Sequence, residues 1–253
     1  MDNVQVIVLA AGKGKRMESD RPKALTPLHG KTFLHHQLDR IQKANFAHKP
    51  IVVVGHKKED VLEALGHEAY PYAFQEEQLG TGHATRMAQH LVPNEVETVI
   101  VLFADNPLVR PETIRELAKK RAETKAPVVM ATTDIGDYNE WRGEAFGNFG
   151  RILRDEKGKV RKIVEFKNCT PEELKVTEVN PGYLAFEPEW LWKKLMELKN
   201  DNAQGEYFLV DLPGMAFNEG HEIPTVEISP IEALGANTKD QLALLEELTK
   251  DQF

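Results

Sequence analysis

Val4-Gln5-Val6-Ile7-Val8-Leu9, running straight into Ala10-Ala11-Gly12-Lys13-Gly14-Lys15-Arg16-Met17, is the stretch from which the fold is read. Its first six residues are β-branched and nearly all apolar, which suits a strand covered on both faces of a sheet. Gly12 and Gly14 then break the strand into a loop. Glycines and small residues let backbone N–H groups approach an anion closely. Lys13, Lys15, Arg16 and Lys23 add four positive charges within eleven residues. Backbone donors combined with Arg and Lys suit a triphosphate. The loop lacks both the Gly-Lys-Ser/Thr ending of a P-loop and the third glycine of the dinucleotide fingerprint. The ordinary alternative is an exposed turn with solvated lysines, and the buried strand before it weighs against that reading.

Outward from this stretch, strand-like and helix-like segments alternate. Leu34, Leu38 and Ile41 recur at helical spacing, and Ile51 to Val54 reads as a second buried strand ending at Gly55. Residues 58–66 read as a helix, and Ala84, Met87, Ala88 and Leu91 form another helical stripe. Residues 98–103 read as a third core strand. Pro111 opens a helix with Ile114, Leu117 and Ala118 facing inward, and residues 128–130 form a further strand. The alternation predicts an α/β fold with a doubly wound, mostly parallel, Rossmann-like sheet. Ligands of such sheets bind outside the carboxyl ends of the strands, where the loops after Leu9 and Phe103 lie. Short strands at 149–154, 160–165 and 176–186, around the turn Asp155-Glu156-Lys157-Gly158, predict a small antiparallel extension covering one side of the site. Helices are expected at 187–199 and 205–218, and Thr238 with Gln241 forms a capping box for a last helix.

The chain of 253 residues is 41% hydrophobic, enough for one domain with a sizeable core. A formal net charge of −8 argues against a general nucleic-acid binder. Cys169 is the only cysteine, which excludes an intrachain disulfide and a Cys-rich metal site. Val4 to Ala11 is too short for a signal peptide or a membrane span, so a cytoplasmic protein without membrane attachment is expected. No pattern in the sequence specifies an oligomeric state.

Leu9 to Met17 together with Pro22-Lys23 resembles the signature of sugar-1-phosphate nucleotidyltransferases. It is most similar to the uridylyltransferase domain of the bifunctional GlmU enzymes, which make UDP-N-acetylglucosamine. Gln75-Glu76-Glu77-Gln78-Leu79-Gly80-Thr81-Gly82-His83-Ala84 resembles that family's uridine-binding segment, and Asp105 with Pro107-Leu108 its metal-binding turn. Gly150-Arg151-Ile152 and Ile163-Val164-Glu165 resemble its sugar-contacting stretches, and Asn180 with Gly182 its Asn-Thr-Gly motif. Asn202-Ala203-Gln204-Gly205-Glu206-Tyr207 and Gly235-Ala236-Asn237 complete the set in the same order.

The resemblance implies a Mg²⁺-dependent attack by a sugar-1-phosphate oxygen on the α-phosphorus of UTP, releasing pyrophosphate. Such a nucleophile is already an anion, so no general base is required. The protein must align two polyanions and neutralise the charge that develops at phosphorus. The resemblance gives Leu9, Ala10, Ala11, Gly12 and Gly14 to the nucleotide, with Arg16 on the leaving phosphates. It gives Lys23 to the α-phosphate as a transition-state stabiliser, so Arg16 and Lys23 are the catalytic candidates. Gln75, Gln78, Gly80 and Thr81 fall to the uridine. Asp105 and Asn237 fall to Mg²⁺, a hard cation that prefers oxygen ligands. Gly150, Glu165 and Asn180 fall to the sugar and Lys167 to its phosphate. The implied division is a nucleotide-binding half over roughly 1–134, a sugar-binding half over 135–230, and a metal-ligand loop with C-terminal helix over 231–253. Plainer readings exist for some of these residues. Asp105-Asn106-Pro107 is a good turn sequence, Gly80 and Gly82 suit a helix entry, Glu165 suits a surface strand, and His83 is expected to pack structurally.

The chain departs from the family pattern at a few places. Phe103-Ala104 stands where these domains usually have Tyr-Gly, Asn106 replaces an apolar residue, and Pro181 replaces a threonine. Glucose-1-phosphate or another hexose-1-phosphate, and dTTP in place of UTP, therefore stay open beside N-acetylglucosamine-1-phosphate and UTP. No hexapeptide repeat is present, so the acetyl transfer of the bifunctional enzymes is not expected of this chain. A glycosyltransferase would need Asp-x-Asp after a core strand, which Asp105-Asn106-Pro107 does not supply. A non-catalytic sugar-nucleotide sensor on the same scaffold is the remaining class, against which the presence of Arg16, Lys23 and Asp105 weighs.

Overall fold

The computed structural model describes residues 3–12, 14 and 21–251. Lys13, Lys15 and Arg16 lie outside the described residues, and with them the expectation that Arg16 grips the leaving phosphates. In chain order the elements are β1 (Val4–Leu9), β2 (Pro27–Leu28), β3 (Lys31–Thr32), α1 (Phe33–Ala44), β4 (Ile51–Val54), α2 (Lys58–Leu65), β5 (Tyr72–Phe74), α3 (Thr81–Met87), β6 (Thr98–Phe103) and α4 (Pro111–Thr124). They continue as β7 (Val128–Asp134), α5 (Trp141–Phe146), β8 (Arg151–Arg154), β9 (Val160–Val164), β10 (Glu178–Val179), β11 (Leu184–Phe186), α6 (Pro188–Glu197), α7 (Leu212–Asn218), β12 (Thr225–Glu227) and α8 (Lys239–Thr249).

The main sheet runs β5-β4-β1-β6-β11-β7-β10-β8-β9, and β12 adds to β7. β5, β4, β1 and β6 are mutually parallel, β12 is parallel to β7, and β11 lies antiparallel between β6 and β7. From β1 the chain winds first to β4 on one side and later to β6 on the other. This reversal opens a crevice at the carboxyl ends of β1 and β6, the usual ligand position in such sheets. Every residue of β1 is buried because both faces are covered. Alternation along the strand sends Val4, Val6 and Val8 into a core with Leu34, Leu38 and Leu117, and Ile7 and Leu9 into a second core with Ala84, Leu191 and Leu195.

The antiparallel extension forms, but residues 176–186 are not one strand. They split into β10, which pairs with β7 and β8, and β11, which pairs with β6 and β7. Residues 180–183 cause the break. Asn180 Oδ1 accepts from Gly182 N at 2.9 Å, an Asx turn, and Pro181 has no N–H to give to a ladder. Gly182 has φ 86°, and the Phe103 ring lies where a Cβ would be, 2.7 Å from that position. The sheet therefore forks where β6 ends, beside the crevice.

Other boundaries moved as well. The helix expected over 205–218 begins only at Leu212, after a single 3₁₀ turn at Leu209–Asp211. The chain before it is held extended by Tyr207, whose N–H donates to Leu79 O and whose carbonyl accepts from Gly82 N, both at 2.8 Å. The stripe from Ala84 to Leu91 belongs to α3, which starts at Thr81 and gives way to a 3₁₀ turn at Gln89–Leu91. The strand at 128–130 runs on to Asp134 because β10 and β12 flank it. The short elements β2, β3, β5, α5 and β12 were not anticipated. Among the described residues no helix is long and apolar enough to cross a membrane.

Candidate functional site

A cavity of about 430 Å³ opens at the carboxyl ends of β1 and β6. Leu9, Ala10, Ala11, Gly12, Gly14, Lys23, Gln75, Gln78, Gly80, Thr81, Asp105 and Asn237 line it, together with Ala24, Ala84, Phe103, Ala104 and Glu206. The described residues expected at the nucleotide and at the metal are thus brought to one place. Gly150, Glu165, Lys167 and Asn180 are not among the lining residues.

One wall is built on the first loop. Ala10 N–H bonds Val53 O at 2.8 Å, and past this bond the chain leaves the sheet. Gly14 turns at φ 58° with its α-carbon against Lys23; a Cβ there would lie 2.8 Å from Lys23 Cβ. Lys23 opens a 3₁₀ turn whose Ala24 and Leu25 are buried, so its backbone is anchored and its side chain reaches across the cavity. The ammonium forms an ion pair with Asp105 Oδ2 and donates to Asn237 Oδ1 at 2.7 Å. The Lys23 side chain is 14% exposed and that of Asp105 28%, so this cluster is only partly wet.

Both oxygen-bearing residues are fixed from behind. Ala104 N–H bonds Leu9 O at 3.1 Å, tying the turn after β6 to the end of β1. Gln37 of α1 is fully buried, and its Nε2 donates to Phe103 O at 2.8 Å and Asn106 O at 3.1 Å, clasping the turn that carries Asp105. Asn237 precedes α8. Its N–H donates to Gln241 Oε1 at 2.8 Å, while Thr238 Oγ1 accepts from Gln241 N at 3.2 Å. The expected cap on α8 is therefore also the device that orients Asn237. Gly235 lies so close to the Asp105 carbonyl that a Cβ would overlap it. Tyr183, wholly buried, donates its hydroxyl to Glu232 O at 2.8 Å and also bonds the side chain of Asn106. Glu232 Oε1 accepts from Arg110 N at 2.8 Å. Burial raises the Tyr183 phenol well above its ordinary range and raises the Glu232 carboxyl. A neutral phenol is what a donated hydrogen bond requires.

The opposite wall is polar and narrow. Gln75, 3% exposed, donates its Nε2 to Gly80 O at 3.0 Å and meets His83 Nδ1 at 3.1 Å. Gln78 Nε2 donates to Gln75 O at 3.1 Å. Gly80 has φ 105°, and a Cβ would stand 2.6 Å from Tyr207 O, so only glycine lets the 202–207 loop dock here. Thr81 spends its hydroxyl on the fold: Oγ1 accepts from Leu209 N at 2.9 Å.

The residues expected at the sugar form a second group beyond the fork. Asn180 N donates to Gly150 O at 2.9 Å, and Glu165 Oε1 would lie 3.1 Å from a Cβ at Gly150. Glu165 keeps solvent-accessible surface yet is recessed among protein atoms; this desolvation, with Asp211 beside it, raises its carboxyl pKa. Asn180 Oδ1 is committed to its own Asx turn, which leaves the amide nitrogen for a ligand. The group touches the cavity through Gly182 and Phe103. Lys167, exposed in a 3₁₀ turn, is in no described contact with these residues.

Gln37 and Tyr183 were not singled out from the sequence, and Glu206, which lines the cavity, was read only as part of the 202–207 stretch and given no role. A signal existed for Gln37: it falls on the Leu34, Leu38, Ile41 face of α1, where a polar residue needs a buried partner.

Several known proteins are similar to this chain in sequence or in fold. The chain is similar to curated proteins named bifunctional protein GlmU. It is 40% identical over 246 residues to that of Paraburkholderia phytofirmans, covering 97% of this chain and 52% of the relative. It is 38% identical over 246 residues to that of Clostridium novyi, covering 96% and 52%. The chain thus spans about half the length of the curated relatives it matches. Two solved structures share the fold. One, from Bacillus anthracis, is named as a glucose-1-phosphate thymidylyltransferase in complex with a sucrose, with TM-score 0.75 and 19% identity, covering 98% of this chain and 96% of that one. The other is CMP:2-keto-3-deoxy-manno-octonic acid synthetase complexed with CTP, with TM-score 0.70 and 18% identity over the whole of both chains. The family described as MobA-like NTP transferase domain matches residues 6–211, most of the chain, including every described wall of the cavity except the 235–237 segment. The chain belongs to the MobA-like NTP transferase domain family.

Proposed function

We propose that this chain transfers a uridylyl group from UTP to a sugar-1-phosphate, N-acetylglucosamine-1-phosphate in the first instance, giving a UDP-sugar and pyrophosphate. The observation that carries the reading is the Lys23 ammonium held between the Asp105 carboxylate and the Asn237 amide oxygen, beside the glycine loop at the carboxyl edge of the sheet. A cation-seeking oxygen pair and a side-chain cation at one point are what phosphoryl chemistry needs. The similarity to the GlmU proteins over nearly the whole chain supports the uridylyl reading and the choice of sugar.

The Asp105 and Asn237 oxygens fit Mg²⁺. They are hard donors, and in the described structure they already gather around a positive charge, that of Lys23. Among the described residues no cluster of three His, Cys, Asp or Glu surrounds a point, so phosphate oxygens and water would complete the shell. When bound, Mg²⁺ supplies charge neutralisation at the nucleotide phosphates.

In the reaction, a phosphate oxygen of the sugar-1-phosphate forms a bond to the α-phosphorus of UTP, and the bond from that phosphorus to the bridging oxygen of pyrophosphate breaks. Lys23, once released from Asp105 and Asn237, faces the α-phosphate and offsets the charge that builds on its oxygens. The amides of Gly12 and Gly14 hold phosphate oxygens, and Arg16 takes the leaving pyrophosphate. Gln75, Gln78, Gly80 and Thr81 receive the uracil. Glu165 and the Asn180 amide nitrogen take sugar hydroxyls or the N-acetyl group, with Gly150 giving the ring room and Lys167 closing on its phosphate. A ³¹P NMR time course of UTP, N-acetylglucosamine-1-phosphate and Mg²⁺ with the protein tests this. The reading predicts diphosphate resonances of a UDP-sugar rising in step with pyrophosphate. Persistence of both starting spectra at high protein concentration contradicts it, and faster turnover of glucose-1-phosphate corrects the sugar.

A further inference from the structure

We propose that His83 is a positioning residue for base selection: by accepting from the Gln75 amide it turns the Gln75 carbonyl oxygen toward the base, so that the site takes a ring imide N–H and rejects cytosine. The inference rests on the uridylyl-transfer reading and deepens it.

The Gln75 side-chain nitrogen sits between two acceptors, Gly80 O at 3.0 Å and His83 Nδ1 at 3.1 Å. A carboxamide has two N–H donors, and both are used here. Its oxygen has no place in that pocket, because facing either acceptor would leave two lone pairs opposed in a nearly dry site. The amide is therefore locked, and the oxygen is the only part of it left to meet a ligand in the cavity that Gln75 lines. Gly80 is itself held, since the chain on either side of it bonds Tyr207 in both directions. His83 holds up the other half only while Nδ1 carries no proton. Gly80 O can only accept, so the atom that meets Nδ1 is the amide nitrogen, and Nδ1 must accept from it, which leaves the ring proton on Nε2. The charged groups that bear on the ring are Arg86, on the same helix, and Glu77. Burial first, and then Arg86, lowers the imidazole pKa, which favours the neutral ring that can accept at Nδ1.

The edge of uracil offers one donor, the imide N3–H, between two carbonyls. Cytosine offers an unprotonated ring nitrogen at the same place, which would oppose the Gln75 oxygen. Buried polar groups left unpaired are the strongest source of discrimination between similar ligands. Free to rotate, Gln75 would present an N–H to cytosine as readily as an oxygen to uracil.

The test uses the full chain and two variants, His83→Phe, which fills the space without an acceptor, and Gln75→Leu. The kcat/KM ratio of UTP to CTP is measured with a fixed sugar-1-phosphate, melting temperatures confirm folding, and ¹⁵N NMR of the wild-type imidazoles reports the His83 tautomer. The inference expects an unprotonated Nδ1 at pH 7 and a ratio that falls at least tenfold in His83→Phe. The fall should be carried by KM for UTP, with kcat within about twofold, as for lost ground-state binding. Gln75→Leu should lose the same discrimination, and combining the two changes should add little. An unchanged ratio in folded His83→Phe, or a protonated Nδ1, overturns the role of His83 while leaving uridylyl transfer standing. A wild-type preference for CTP overturns the uridylyl reading and this inference together.

Discussion

Replacing Lys23 by alanine separates the two jobs that the site gives this side chain. In the described structure its ammonium pairs with Asp105 and lies 2.7 Å from Asn237 Oδ1. Two unit charges about 3 Å apart attract by roughly 5 kcal/mol at an effective dielectric of about 20. Partial exposure of Asp105 screens that figure downward, so it serves as a ceiling. The same ammonium acting on the charge that grows at the α-phosphorus is comparable to an oxyanion donor, whose removal costs about 10²–10³ in kcat, or roughly 3–4 kcal/mol. Lys23→Ala should therefore lower kcat by about 10²–10³ with KM for UTP changed by less than about threefold, because under the proposed function the glycine-loop amides and Arg16 would still hold the other phosphates. Without nucleotide, the freed Asp105 and Asn237 oxygens should take a divalent cation more tightly than in the wild type. Steady-state kinetics with varied UTP, and Mn²⁺ binding followed by electron paramagnetic resonance, read the two effects. Equal losses in kcat and in UTP affinity would refute the assigned role, and weaker Mn²⁺ binding would refute the competition.

Tyr183→Phe leaves the Glu232 carbonyl and the Asn106 side chain without a partner, a loss of about 1–3 kcal/mol; the Mg²⁺ concentration for half-maximal rate should rise while KM for the sugar phosphate stays constant, and an unshifted Mg²⁺ dependence would count against a link between these groups and the metal ligands. Gly182→Ala puts an L-residue at φ 86° with its Cβ 2.7 Å from the Phe103 ring; backbone strain of about 1–3 kcal/mol plus this overlap should lower the melting temperature measurably, and an unchanged value would deny that the fork needs glycine. Glu165 has a carboxyl pKa raised above 4.5 by desolvation. Between 4.5 and that raised value the folded chain binds more protons than the unfolded one, so the penalty of ionising Glu165 is absent in acid and grows as pH rises through this window. Glu165→Gln should accordingly match the wild type in stability below pH 4.5, exceed it at pH 7, and lose affinity for the sugar phosphate; thermal melts across pH that show the opposite trend would refute the desolvated placement. Burial and Arg86 lower the His83 pKa from its ordinary value; KM for UTP should rise as pH falls through that lowered value, and His83→Phe should lack this limb.

What could be read from the sequence is what periodicity and turn chemistry encode. β1, β4, β6 and α4 were anticipated because their residues are apolar on both faces or bounded by Gly and Pro. The fork in the sheet was not. Residues 176–186 read as one strand, and the break depends on Asn180 bonding its own backbone and on Phe103 occupying the space above Gly182, a contact between distant parts of the chain. The departures at Phe103, Asn106 and Pro181 now have a common setting: Pro181 sits inside the Asx turn, Phe103 packs on Gly182, and Asn106 bonds Tyr183 while its carbonyl takes Gln37. All three act where β6 ends, next to Asp105. The residues given to the nucleotide and the metal share a cavity because two loops at one sheet edge carry most of them. The sugar residues lie just before β8, just after β9 and at the fork, whose placement relative to the crevice has no local sequence signal. His83, expected to pack structurally, does so against the side chain expected to read the base.

The central claim, nucleotidyl transfer to a sugar-1-phosphate at the Lys23–Asp105–Asn237 site, is tested most directly by pyrophosphate release. The assay pairs each of UTP, dTTP, CTP, ATP and GTP with N-acetylglucosamine-1-phosphate, glucose-1-phosphate and other hexose-1-phosphates, with Mg²⁺ and with excess chelator. The account predicts release that requires Mg²⁺, is fastest with UTP and N-acetylglucosamine-1-phosphate, and is abolished by Asp105→Ala. A folded protein that releases no pyrophosphate with any pair, or one whose release survives Asp105→Ala, contradicts it.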